Sequence, residues 1–93
     1  MRLTIVPSDG AVIIDKFGIS GLDLSFMPSN VHAVQWYDTY GEVETKDEFG
    51  KLIANISITE LDANHLQAVS VWETAKAEYE ARMAAANSEP KEV

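Results

Sequence analysis

The 93-residue sequence contains no cysteine, few basic residues and no long apolar run. Without cysteine, neither disulfide bonds nor thiolate metal ligands can stabilise the fold. No stretch approaches the roughly 20 apolar residues that span a bilayer, and the apolar run near the N-terminus is too short for a signal peptide. We therefore expect a protein that is made in the cytoplasm and has no membrane partner.

The shortage of basic residues leaves a formal net charge of −8, from 15 acidic and 7 basic side chains. This charge repels nucleic-acid phosphates and anionic lipids, so we expect no nucleic-acid partner. Two interpretations of the acidity remain. It can simply keep a small protein soluble. Alternatively, it forms an acidic face that meets a basic partner or imitates nucleic acid.

The patterns that usually carry catalysis are also missing. His32 and His65 are the only imidazoles and lack metal-ligand spacing; we expect His32 to be half-buried and His65 to be solvated. No serine lies in a nucleophile motif, and no glycine cluster could hold a phosphate. Glu42 and Glu44 lie about 6.6–7 Å apart on one side of a strand, which suits paired-carboxylate chemistry. So small a core desolvates carboxylates poorly, so we predict no enzyme, catalytic residue, cofactor or metal.

The first half of the sequence predicts strands. Asp9-Gly10 lies between two apolar runs, which is typical of a two-residue hairpin. Pairing Ser8 with Ala11 places four apolar residues on one face, namely Leu3, Ile5, Val12 and Ile14. A further short strand or extended segment is predicted over Leu22–Phe26, before a turn at Met27-Pro28-Ser29-Asn30.

The next three strands are predicted to form an antiparallel meander. Val31–Tyr37 alternates, with His32, Val34 and Trp36 on one side. A loop then leads to Glu42–Thr45, and a second turn leads to Leu52–Ile58. Connections this short favour antiparallel pairing, because parallel strands need longer crossovers.

From Asp62 onward the apolar period becomes helical, with a stripe formed by Leu66, Val69, Trp72, Tyr79 and Met83. Thr59 or Asp62 is the predicted N-cap, and the helix ends near Asn87 because Pro90 cannot continue it. The predicted fold is α+β: a small antiparallel sheet, made of an N-terminal hairpin and a three-stranded meander, packed against one long C-terminal helix. Residues 1–87 form one domain, and residues 88–93 form a flexible acidic tail.

Two groups of residues are candidates for partner binding. Tyr37 and Tyr40 lie at a hairpin end, where Glu42 and Glu44 follow on one strand face, whereas Trp36 is expected to pack beneath the helix against Trp72 or Val69. The second group is on the late helix, beyond the reach of a small sheet, and consists of Tyr79 and Met83. An apolar helix face there needs another subunit or another protein to cover it. The sequence thus predicts a homo-oligomer or a docked partner at this end.

A resemblance follows from several segments taken together. Ile5-Val6-Pro7-Ser8-Asp9, Val12-Ile13-Ile14-Asp15, Leu22-Asp23-Leu24-Ser25, Asn30-Val31-His32-Ala33-Val34-Gln35-Trp36 and Gly41-Glu42-Val43-Glu44 resemble small bacteriophage proteins from tail and tail-fibre regions. The similarity extends over roughly residues 3–75. Lys16 departs from it, because a glycine commonly follows the aspartate in that family.

The resemblance implies a virion-associated or tail-assembly role without chemistry. We expect a non-enzymatic phage structural or accessory protein that binds a tail, tail-fibre or other virion component, and that is found in the host cytoplasm during synthesis or in the virion. One alternative is a tail-fibre assembly chaperone. Another is an acidic host-defence inhibitor that mimics nucleic acid, for which the five acidic residues and one lysine of Asp38–Glu48 are the support.

Overall fold

The computed structural model describes residues 1–88. The predicted acidic tail of residues 88–93 therefore lies outside the described residues, apart from Ser88. The fold is α+β, as predicted, with six strands and one long helix. The elements are β1 (Arg2–Val6), a 3₁₀ helix (Pro7–Asp9), β2 (Ala11–Ile14), β3 (Phe17–Ile19), β4 (Val31–Tyr37), β5 (Gly41–Thr45), β6 (Ile56–Ile58) and α1 (Ala63–Ser88).

All six strands form one antiparallel sheet in the order β3-β2-β1-β4-β5-β6. The N-terminal strands and the predicted meander are therefore two three-stranded units, joined where β1 pairs with β4. Leu3 opposite Trp36 and Ile5 opposite Val34 form this junction. The side chains that are fully buried come from β1, β4 and the neighbouring β2, namely Leu3, Ile5, Val34 and Val12.

The register of the N-terminal hairpin differs from the predicted one. Val6 pairs with Ala11, whereas the sequence had suggested Ser8 with Ala11. Pro7 begins a 3₁₀ turn that ends at Gly10, whose φ is 59° and whose N–H donates to the Pro7 carbonyl at 3.1 Å. The shift amounts to two residues, and strand side chains alternate with period two. The predicted core face is therefore confirmed, with Leu3, Ile5, Val12 and Ile14 buried.

The third strand is Phe17–Ile19, whereas Leu22–Phe26, predicted as a short strand or an extended segment, is not a strand. Asp15 and Lys16 take positive φ angles of 47° and 77°, which suit a two-residue hairpin turn and bring the chain straight back along β2. The alternating leucines that follow belong to the long connection to β4. That connection still contributes to the core, because Leu24 and Met27 are buried.

His32 was expected to be half-buried but is exposed. The pairs Val31–Thr45 and Ala33–Glu44 flank it, so β4 carries one extra residue at this point. Such a bulge breaks the alternation of side chains along a strand. His32 is that extra residue and leaves the face of Trp36.

The last strand is shorter than predicted. Lys46 opposite Leu52 is an isolated bridge, and regular pairing resumes only at Val43 opposite Ile56. The register of the Lys46–Leu52 pair differs by one residue from that of the Val43–Ile56 pair. The residues between Leu52 and Ile56 therefore cannot pair with β5 in one continuous ladder. As a result, regular strand pairing is lost before Ile56, although the Ile53 N–H still donates to the Thr45 carbonyl at 3.0 Å.

The helix covers one end of the sheet. It contacts β2 and β3, and its buried residues are His65, Ala68 and Trp72. Leu66, which the sequence assigned to the buried stripe, is exposed, and His65, which was expected to be solvated, is buried at 4% exposure. The two predictions fail together because the buried line of the helix runs through His65, Ala68 and Trp72, whereas Leu66 lies about 120° around the helix axis from Trp72. Trp36 is buried in the same core cluster as Trp72 and Val69.

Candidate partner-binding surfaces

The β4–β5 hairpin end brings the two predicted tyrosines together. The rings of Tyr37 and Tyr40 stack with centroids 5.2 Å apart and planes at 26°. The Arg2 guanidinium lies 4.3 Å from the centre of the Tyr37 ring and donates to Gln35 Oε1 at 2.9 Å. Arg2 thus orders the tyrosine pair from the neighbouring strand, a role that the sequence analysis did not assign. Its position opposite Tyr37 emerges only from the β1–β4 register.

The turn below these rings is held by backbone and terminal contacts. The Tyr37 N–H donates to the Tyr40 carbonyl at 2.7 Å, and Asp38 takes a φ of 84°. The N-terminal ammonium of Met1 donates to Asp38 Oδ1 at 2.6 Å, and this hydrogen bond raises the pKa of the ammonium above its ordinary value. The hairpin end therefore presents both tyrosines, which are partly exposed, on a braced turn.

Glu42 and Glu44 lie on the face of the sheet opposite the helix. Glu42 is paired with Gln35 in β5–β4 register and accepts a hydrogen bond from Asn55 Nδ2 at 3.2 Å. Glu44 is opposite Ala33. Both carboxylates are partly exposed, and they continue the surface that begins at the tyrosine pair.

The acidic run Asp38–Glu48 does not form one uniform carboxylate cluster. Asp38 binds the N-terminal ammonium at the start of β5. At the other end, Asp47 Oδ1 accepts the backbone N–H groups of Phe49 and Lys51 at 2.9 and 3.0 Å, which shapes the next turn. A five-residue strand separates these ends by roughly 13–17 Å. Two of the five acids therefore have structural hydrogen bonds at opposite ends of β5.

The second predicted surface lies on the distal half of α1. Tyr79 and Met83 are 44% and 46% exposed, and every side chain from Ala77 to Ala86 is exposed. Tyr79 meets the edge of the Phe17 ring at 5.9 Å, and Arg82 on the next turn still lines an open pocket with Phe17 and Ile19 of β3. Met83 follows Tyr79 one turn later on the same helix face. The helix of 26 residues is roughly 39 Å long, so its distal turns extend past these contacts.

The two surfaces lie on opposite sides of the sheet. Tyr37 is opposite Arg2 on the open face, whereas its neighbour Trp36 points into the core beneath the helix side. Tyr79 and Met83 belong to the helix that covers that core. The structure thus brings Tyr37, Tyr40 and Glu42 together but does not join them to the helical pair.

A third exposed apolar region follows the shortened strand. Phe49 is 86% exposed, and the residues that share this exposure over the next turn and connection are Leu52, Ile53 and Ile56. The sequence pattern predicts Leu52 and Ile53 within a strand. The one-residue offset between the Lys46–Leu52 bridge and β6 leaves them outside it. No local sequence signal reports such an offset, because it depends on strand pairing.

His65 closes one end of an open pocket of about 270 Å³ beside β6. The apolar lining of this pocket comprises Val31, Val43, Ile56 and Ile58. Asp62 Oδ1 accepts the His65 backbone N–H at 3.0 Å, and His65 Nδ1 accepts the Asp62 backbone N–H at 3.2 Å. Burial lowers the pKa of the imidazole, against a smaller opposing effect of the Asp62 charge. The neutral ring thus serves as an acceptor at the helix start.

Within residues 1–88, no three His, Cys, Asp or Glu side chains are grouped closely enough to hold a metal ion. Over the same range, the helix lacks the length of apolar chain that crosses a membrane. Comparisons with protein-family models, with curated proteins and with solved structures find no match to this chain. The arrangement offers exposed aromatic and apolar side chains beside carboxylates, which is the chemistry of protein contact surfaces.

Proposed function

We propose that this chain is a non-enzymatic binding module that attaches to a larger protein assembly. The observation that carries the proposal is the distal half of α1. The helix face that carries Tyr79 also carries Met83 one turn later. All side chains from Ala77 to Ala86 are exposed. An apolar helix face that continues beyond its own core is covered when a partner docks on it.

The hairpin end provides a second contact surface. Stacking orders Tyr37 against Tyr40, and the Arg2 guanidinium restrains the first ring from the other side. Ordered aromatic side chains lose little conformational entropy on binding, so they suit a contact site. Attachment through either surface leaves the other free for a second component.

The assembly that we propose is a bacteriophage tail, tail fibre or other virion component. The support for it is the similarity to small phage tail-region proteins in segments that include Ile5–Asp9 and Asn30–Trp36. A tail-fibre assembly chaperone is the alternative within the same setting. It would use the same surfaces but leave before the particle is complete.

The test is a pull-down from infected cells with the tagged chain, read by mass spectrometry, together with analysis of purified virions. Capture of a tail or fibre protein and stoichiometric presence in virions is the expected result. Capture without presence in virions supports the chaperone. If neither occurs, the phage proposal is wrong.

Paired variants locate the contact surface. Met83→Glu places a charge on the continued helix face, and Ala81→Glu places the same charge at an exposed position on the other side of the helix. Tyr40→Ala removes half of the ring stack, and Thr39→Ala changes its exposed turn neighbour. The first member of at least one pair should reduce capture at least about tenfold, which corresponds to about 1.4 kcal/mol. Equal capture by all four variants would contradict attachment through these surfaces.

A further inference from the structure

The two edges of the sheet differ in how they are covered. At the β3 edge, Trp72 Nε1 donates to the Phe17 carbonyl at 3.0 Å. The Lys76 ammonium lies 5.4 Å from the centre of the Phe17 ring, and Tyr79 meets the edge of the same ring. These contacts hold the helix against Phe17, whose carbonyl points toward β2 because Phe17 pairs with Ile14 beside the turn; the outward backbone groups of β3 belong to Gly18, which is exposed. The β6 edge lies at the other end of the strand order, away from β2 and β3, where the helix packs.

The hydrogen-bond alternation shows which backbone groups face outward on β6. Tyr37 and Tyr40 form a hydrogen-bonded pair at the hairpin end. In an antiparallel ladder such pairs alternate with non-hydrogen-bonded pairs, so Glu42 bonds toward β4 and Val43 bonds toward β6. Ser57 lies opposite Glu42. Its N–H and C=O therefore point away from β5, toward the free edge.

The two faces beside this edge have different chemistry. Ile56, which is 54% exposed, and Ile58 lie on the core side, where they line the pocket with Val43. Ser57 lies on the open side, next to the Glu42 carboxylate. A strand added to β6 would alternate in the same way. One set of its side chains would lie over isoleucines and the other set would lie within reach of a carboxylate.

We infer that the β6 edge binds an extended segment of a partner protein in which apolar residues alternate with lysine or arginine. This inference rests on the proposed function as a binding module and specifies the chemistry of one partner. Strand addition supplies affinity through main-chain hydrogen bonds, and the alternate side chains supply specificity. A second copy of the chain fits less well, because two chains of net charge −8 repel one another.

The probe is a short acetylated peptide that alternates lysine with leucine and valine, titrated into the ¹⁵N-labelled chain. We expect amide shift changes centred on Ile56–Ile58 and on the adjoining residues of β5. Replacing the lysines by glutamate, or the apolar residues by serine, should weaken binding at least about tenfold. Changes confined to the hairpin end or to the helix would overturn the inference.

Ser57→Pro is the deciding variant. Proline removes the outward N–H but none of the bonds to β5, and edge strands tolerate proline at such a position. Ser57→Thr is the control, since it keeps the N–H and has high strand propensity. The proline variant should lose peptide binding at least about tenfold while its spectrum elsewhere stays native-like, and the threonine variant should bind like the wild type. Equal binding by both variants would refute strand addition.

Two further measurements separate the possible outcomes. Glu42→Gln should weaken binding of the lysine peptide but leave binding of a peptide with glutamine in place of lysine unchanged; an equal effect on both would refute the charge pairing. Sedimentation that shows a dimer of the wild type, lost in Ser57→Pro, would replace the inferred partner by a second copy. Peptide binding at β6 without any virion or tail partner in infected cells would overturn the phage assignment alone.

Discussion

Asp62 and His65 cap the helix reciprocally. The Asp62 carboxylate accepts the His65 backbone N–H at 3.0 Å, and the imidazole Nδ1 accepts the Asp62 backbone N–H at 3.2 Å. The geometry is that of a capping box in which histidine takes the place of the usual glutamate or glutamine. It also places His65 in the core, at the end of the pocket beside β6.

Asp62→Ala should lower the free energy of unfolding by about 1 kcal/mol, because one helix N–H loses its acceptor. Asp62→Asn keeps a side-chain oxygen at the N-cap and should lose much less. Urea denaturation followed by circular dichroism measures both. An equal loss for alanine and asparagine would show that the cap does not contribute through this hydrogen bond.

The stability of the protein should fall as the pH drops below about 6.5, the ordinary pKa of histidine. Burial lowers the pKa of His65 in the folded state, so the unfolded chain binds the proton first. Between the lowered pKa of folded His65 and 6.5, the unfolded chain binds more protons than the folded chain, so the free energy of unfolding rises with pH. Above 6.5 both states have a neutral His65, and its effect on the free energy of unfolding no longer changes with pH.

Denaturation midpoints between pH 5 and pH 8 test this sign in matched variants. His65→Gln keeps a side-chain acceptor for the Asp62 N–H but cannot titrate, so it should flatten this part of the profile. His32→Gln removes the exposed imidazole and should leave the profile as in the wild type. A slope that survives in His65→Gln would assign the pH dependence to other groups.

Trp72→Phe should destabilise the protein by about 1–3 kcal/mol, because the Phe17 carbonyl loses the indole donor and the core loses volume. Trp36→Phe is the comparison: that indole belongs to the same cluster, but it has no side-chain hydrogen bond within residues 1–88, so its Nε1 is not fully buried. Thermal unfolding of both variants should show the larger loss for Trp72. A larger loss for Trp36 would mean that ring volume outweighs the hydrogen bond.

Gly41→Ala should disrupt the β4–β5 pairing and cost about 1–3 kcal/mol or more. An added Cβ would overlap the Gln35 carbonyl oxygen and lie 3.0 Å from Trp36 Cα, and neither backbone atom can move freely within the sheet. Gly50→Ala is a useful contrast, because its Cβ meets nothing within 4 Å and only the φ of 79° opposes it, at about 1–2 kcal/mol. Chemical denaturation should rank Gly41→Ala as the more severe change; the reverse order would contradict the close approach at β5.

Much of the fold follows from local patterns. Alternation identified Val31–Tyr37 and the inward set from Leu3 to Ile14, and the helical period identified α1. These predictions hold because period-two and period-3.6 burial are properties of each element by itself. The predicted pairing register of the first hairpin was wrong by two residues, but the predicted core face was correct. A register shift of an even number of residues leaves each side chain on the same face of the sheet.

The errors occur where two elements must meet. Local pattern placed His32 inward and His65 outward, but the bulge in β4 exposes His32, and His65 lies on the buried line of the helix with Ala68 and Trp72. Leu52 and Ile53 are not part of β6, because the pairing register at the Lys46 bridge differs by one residue from the register at Val43. Tyr37, Tyr40, Tyr79 and Met83 remain predictions as contact residues, now with a stated position for each.

The sequence by itself determined the type of each long element, the inward face of the first hairpin and the acidic character of the surface. These depend on residue order and composition alone. Only the tertiary structure decided which histidine is buried, that Arg2 lies over Tyr37, and that the helix packs on β2 and β3 at one end of the sheet. Those features depend on register and on the rotation of packed faces, which are set by contacts between residues far apart in the chain.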